Sequence, residues 1–258
     1  MMRLGAVAWN TFREAVRDRV LYNLVFFALL MIAAAIFMGQ ISLEIETIVI
    51  VTVGLSAVSV IGLLIAVFTG VGLVSKEIDK RTLYALLSKP VRRWEFLVGK
   101  FGGLVLTLAV NTAAMAVGLF FALLSVKHSW EGRDAVVFVA VYFIWLKIAI
   151  VIALALLFSC FTSQLLAILF TAGFYVAGLF VTQMRNLGGS KLAPITQKFF
   201  SWVSYVLPNF ENFNVTAAVA HGRSVPGALI LQNTAYAILY CGIVLAAATV
   251  VFSRRNLK

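Results

Sequence analysis

Long apolar stretches alternate with short polar ones along the whole chain. Six of the apolar stretches are long enough to cross a bilayer, at residues 20–39, 47–74, 101–126, 135–158, 163–183 and 228–252. A hydrocarbon core about 30 Å thick needs about 20 apolar residues in a helix, so each predicts a transmembrane helix. The second is the longest. At about 1.5 Å per residue it reaches about 42 Å, which predicts a stiff extension beyond the membrane surface. Gly54, Gly62, Gly70 and Gly72, with Ser56 and Ser59, predict a face that another helix can approach closely.

The polar stretches between them carry their own patterns. Residues 1–19 predict an amphipathic helix lying along the membrane surface. Trp9, Phe12, Val16 and Val20 recur at spacings of three and four, while Asn10, Arg13, Glu14 and Arg17 take the other side. A cleavable signal peptide is the rival reading, disfavoured by the acidic residues and the long apolar continuation. In residues 75–100, Lys76, Lys80, Arg81, Lys89, Arg92, Arg93 and Lys100 face only Glu77, Asp79 and Glu95. A short helix from Thr82 to Ser88 puts Leu83, Leu86 and Leu87 on one side. Pro90 ends it, and a second helix starts near Val91. An uncharged turn at 159–163 separates the fourth and fifth stretches. Residues 184–227 form the longest polar segment. Within it Ile195, Phe199, Phe200, Trp202, Val203 and Val206 predict a short amphipathic helix before Pro208. With Leu207, Phe210, Phe213 and Val215, it reads as a cap or half-entering hairpin at the outer surface.

Composition sharpens this picture. The chain has 258 residues, 62% hydrophobic and 12% charged. Soluble domains carry about 25% charged residues, so this is a single integral membrane domain of all-α class. The net charge of +11 raises nucleic acid as a partner. Its cations sit at the ends of the apolar stretches, however, which points to the membrane instead. With both termini in the cytoplasm, the inner segments hold 14 Lys and Arg and the outer ones six. Basic residues flanking spans resist translocation, so this bias predicts six spans with both ends inside and residues 75–100 cytoplasmic.

Motifs for chemistry are sparse. There is no phosphate-binding G-x-x-x-x-G-K-[ST] loop, so any use of ATP needs a partner. The zinc-protease H-E-x-x-H and the nucleophile turn G-x-S-x-G are also missing. His128 and His221 fall in different outer segments, and Cys160 and Cys241 in different spans, so no metal or disulfide spacing arises. No cofactor is expected on this chain.

Lys147 is the exception inside the membrane. It lies near the middle of the fourth span, about 18 Å from either end, and a central Lys costs about 2.5–3.5 kcal/mol to insert. No Asp or Glu lies in a span to pair with it, leaving Asn111, Gln164, Gln232 and Asn233 as polar neighbours. Either Lys147, with Asn111, lines a translocation path or subunit interface and favours anionic cargo, or it is hydrogen-bonded inside the bundle.

Two stretches carry a resemblance. The run Thr82-Leu83-Tyr84-Ala85-Leu86-Leu87-Ser88-Lys89-Pro90-Val91-Arg92-Arg93, with Glu95 and Gly99-Lys100, resembles the cytoplasmic loop of type-2 ABC transporter permeases. Leu207-Pro208-Asn209-Phe210-Glu211-Asn212-Phe213-Asn214 is similar to the segment before the last span in many of them. The branch serving copper-enzyme maturation in nitrous oxide reduction is especially similar. Arg81 and Tyr84 depart from the Gly and Glu that relatives often have there.

The resemblance implies a coupling helix resting in a groove of a separate ATPase, through Thr82, Leu83, Tyr84, Leu86, Leu87, Pro90, Arg92, Arg93 and Glu95. It implies an outer cap at Pro208, Asn209 and Phe210, and an N-terminal helix near the ATPase. The expected function is the permease of an ATP-driven exporter in a prokaryotic inner membrane, working as a homodimer or with a homologous permease. Two ATPase copies would carry ATP and Mg, and an accessory periplasmic protein fits the branch. The alternative is a membrane scaffold or enzyme whose basic loop binds anionic lipid headgroups. Cargo is not legible in these residues.

Overall fold

The computed structural model describes residues 2–41, 45–79, 92–127, 135–188 and 194–254. The described residues are almost entirely helical. The helices are α1 (Met2–Val16), α2 (Arg19–Ile41), α3 (Glu46–Asp79), α4 (Arg93–Lys127), α5 (Val136–Ser159), α6 (Gln164–Leu179), α7 (Val181–Gly188), α8 (Pro194–Val206), α9 (Thr216–Ala220) and α10 (Gly227–Arg254). Four of these are long and apolar enough to cross a membrane: 46–73 of α3, 93–126 of α4, α5 and α10. Shorter apolar helical stretches occupy 24–39 within α2 and 164–179.

The amino-acid pattern explains which helices lie at the centre. α5 has no polar face, and all but a few of its residues are buried. A helix that is hydrophobic all round belongs inside a bundle. α3 lies along it, alongside α2 and α4, while α10 packs on the far side of α5. Glycines set the closest approaches. A Cβ added at Gly62 would come 2.5 Å from the Ile148 methyl, and one at Gly70 would come 3.2 Å from Ala155 Cβ. Gly54 leaves room for Leu119 in the same way. Gly72, which the sequence groups with them, faces open space.

Several boundaries differ from the sequence reading. Both described flanks of the basic segment 75–100 are helical: α3 runs on to Asp79 and α4 starts at Arg93. The expected helix Thr82–Ser88, with Thr82, Leu83, Tyr84, Leu86, Leu87 and Pro90, lies outside the described residues. The helix expected over 163–183 is broken at Phe180, where α6 ends and α7 begins. The break has a packing cause. The Phe210 N–H donates to Gly178 O at 3.2 Å, and a Cβ at Gly178 would fall 2.6 Å from both Phe210 and Pro208 O. Gly178 O thus accepts from a neighbouring chain segment at the point where the helical ladder of α6 ends.

The N-terminal helix also has a face that the sequence reading missed. Thr11 and Ala15 are buried, whereas Trp9, stacked on Phe12 at 5.4 Å, is exposed. α1 docks on α4 through its small residues: Val7 meets Gly99, and Ala8 and Thr11 meet Gly103. Gly99 and Gly103 are four apart, the small-xxx-small spacing that lets two backbones come together.

Candidate functional site

Three polar constellations stand out among the described residues. The first gathers where α3 ends and α4 begins, on either side of segment 80–91. The Arg92 N–H donates to the Glu95 carboxylate at 2.9 Å, so Glu95 serves as the back-reaching half of a capping box at the start of α4. Arg93 turns inward. Its Nη1 donates to Phe252 O at 3.0 Å and Ser253 O at 2.8 Å, and its guanidinium carbon lies 5.8 Å from the Phe252 ring centre. Lys100 is only 2% exposed; its Nζ donates to Leu73 O at 3.2 Å and lies 5.4 Å from the Phe96 ring. Phe96, Leu97, Cys160, Ala248 and Phe252 fill the space between as a small core of their own. The first two turns of α4 thus touch the ends of α3, α5 and α10 together. Of the three residues expected to face an ATPase here, Arg92 is exposed, whereas Arg93 and Glu95 are engaged within the chain.

The second surrounds Lys147, near the middle of α5 and 8% exposed. Its Nζ donates to Ser59 Oγ on α3 at 2.6 Å and lies 5.9 Å from the Tyr175 ring on α6. A desolvated ammonium gains about 2 kcal/mol from an aromatic face, and a charged hydrogen bond about 1.5–3 kcal/mol, so the site offsets much of the burial cost. The partner is Ser59, which the sequence reading took only as a small packing residue. Of the neighbours expected from the sequence, Asn233 instead donates to Asn212 O at 2.9 Å. Asn111 is 7% exposed, and its amide nitrogen has no hydrogen-bond partner among the described residues. The Lys100–Leu73 and Leu119–Gly54 contacts set an antiparallel register that puts Asn111 opposite Gly62, one turn along α3 from Ser59. No described contact joins Asn111 to Lys147.

The third is the segment after α8. Pro208, Asn209 and Phe210 are all buried, and Phe210 is completely so. Irregular backbone inside an apolar bundle must find hydrogen bonds from protein, and α10 supplies them. The Asn209 N–H donates to Tyr236 Oη at 3.0 Å, and Tyr240 Oη donates to Val206 O at 3.0 Å. Asn209 Oδ1 accepts from the Glu211 N–H at 3.1 Å and closes the turn locally. Tyr240 stands halfway along the 28-residue α10, so the segment reaches the middle of that helix rather than resting on its end. Phe213 then meets Phe143 edge-on at 6.3 Å. The aromatic side of α8 is turned the other way, with Phe199, Trp202 and Tyr205 exposed.

These features define a class: a multi-pass helical membrane protein with an inserted segment before its last helix and a braced helix pair bracketing the basic residues 80–91. The family model described as ABC-2 family transporter protein matches residues 5–257, and the chain belongs to that family. Membership makes it the permease component of an ABC transporter, which pairs with an ABC ATPase subunit. No curated protein matches the chain.

Proposed function

We propose that the chain is the permease of an ATP-driven exporter, working as two copies with two ATPase subunits. The observation that carries this is the brace around segment 80–91. α3 extends to Asp79, α4 starts with a capping box at Arg92, and Lys100 joins the two helices by its bond to Leu73 O. A segment held between two anchored helices transmits a push, whereas a tethered loop absorbs one. In this reading Leu83, Leu86 and Leu87 rest in the ATPase groove, with Thr82, Tyr84, Pro90 and Arg92 around them, and ATP and Mg stay on the partner. Six spans, both termini in the cytoplasm of a prokaryotic inner membrane, complete the proposal.

Lys147 enters as the polar tie among α3, α5 and α6. Any opening between those helices must break it, and an anionic cargo would meet the freed ammonium. Export through the family's copper-enzyme maturation branch is one form of the proposal.

The test is co-purification and coupling. The tagged chain should carry an ATPase, and L83D combined with L87D should uncouple ATP hydrolysis from transport without removing the permease from the membrane. A chain that never associates with an ATPase, or a double variant that couples normally, refutes the proposal. A lipid-binding scaffold would tolerate shuffling of residues 82–91 at constant charge; the coupling segment would not.

A further inference from the structure

Helix ends present carbonyls that have no partner within the helix, together with a partial negative charge. At the end of α10 both are met by a residue 159 positions away in the chain, Arg93. One nitrogen of its guanidinium reaches two successive carbonyls, of Phe252 and Ser253, while the plane lies over the Phe252 ring. One turn further along α4, Phe96 stacks on the same ring, with centroids 6.2 Å apart and planes at 18°. Both hydrogen bonds come from Nη1, and the planar guanidinium adds its contact with the Phe252 ring, which the compact ammonium of lysine does not match in shape. The link is therefore specific in chemistry as well as in place.

Its place gives it consequence. Arg93 is the first residue of α4, and α10 is the helix whose Asn233, Tyr236 and Tyr240 hold the inserted segment 206–212. We propose that Arg93 is a positioning residue that makes the start of α4 and the end of α10 move as one body. A displacement delivered at residues 80–91 would then reach the last helix directly, and through it the inserted segment held against the middle of α10. The inference rests on the coupling role proposed above for residues 82–91.

The experiment uses the full chain purified with its ATPase, with the buried Cys160 and Cys241 replaced. Spin-label pairs are placed at Tyr22 and Trp94, reporting α4, and at Tyr22 and Val250, reporting α10. All three positions are exposed. In the parent protein, ATP with vanadate should shift both distances. R93A and R93Q should keep the shift at Trp94 and lose the one at Val250, and R93K should restore it in part. R93Q keeps a side chain of similar reach, so it decides the matter if R93A fails to assemble. An undiminished shift at Val250 in R93Q, or a parent in which Val250 does not move, overturns the inference alone. If no ATPase co-purifies, or if neither pair responds to ATP in the parent, the coupling proposal falls and this one falls with it.

Discussion

Two adjacent glycines give a matched pair of perturbations. A Cβ added at Gly103 would fall 2.7 Å from Thr11 Cβ and overlap the Ala8 carbonyl oxygen of α1. Non-bonded carbons rest at about 3.5–4.0 Å, so α1 would have to retreat by about 1 Å. Backbone cannot swing aside as a side chain can, and overpacking of this kind costs about 1–3 kcal/mol. Against this stands the gain of about 0.5–1 kcal/mol from replacing glycine by alanine in a helix. At Gly102 the added Cβ would sit 3.8 Å from Ala8 Cβ, an ordinary contact, so only the gain remains. G103A should therefore be less stable than G102A by about 2 kcal/mol. Thermal unfolding of the purified protein in lipid nanodiscs reads the difference. Tryptic cleavage at the exposed Arg13 and Arg17 reports whether α1 has come away. Equal stability of the two variants, or faster cleavage in G102A than in G103A, would refute the close α1–α4 crossing.

Other outcomes follow from the same geometry. S59A should destabilise the protein more than K147M. The first leaves a buried ammonium short of its acceptor, at about 1.5–3 kcal/mol, whereas the second removes the charge altogether; a reversed order in thermal unfolding would contradict the tie at Lys147. G178A should push Pro208 and Phe210 away from α6, and amide exchange across 207–213 should rise while that of α5 stays unchanged. Y236F should leave the Asn209 N–H without its acceptor and cost about 1 kcal/mol. Equal unfolding temperatures for Y236F and the parent would count against burial of that hydrogen bond.

The all-helical class and the existence of several long apolar helices were legible in the sequence because they depend on local hydropathy alone. The uniform hydrophobicity of 136–159 is enough to require a helix covered on all sides. The same logic made Lys147 conspicuous, since a charge in hydrocarbon stands out without any knowledge of its surroundings. The basic segment with its leucines and proline was recognisable as a motif, although its inner residues fall outside the described ones. Gly99 and Gly103 carried a readable spacing that points to close helix contact, but not to which helix.

What tertiary structure alone decided were the partners. Arg93 and Glu95 look alike as charged residues beside a loop, yet one caps a distant helix and the other its own. Ser59 reads as a small packing residue until α5 brings Lys147 against it. The break at Phe180 is invisible in an apolar run, because its cause is Phe210 arriving from another part of the chain. Hydropathy and helix propensity are summed over neighbours in sequence and so are written there. Hydrogen bonds and close packing depend on which faces meet, and only the assembled bundle sets that.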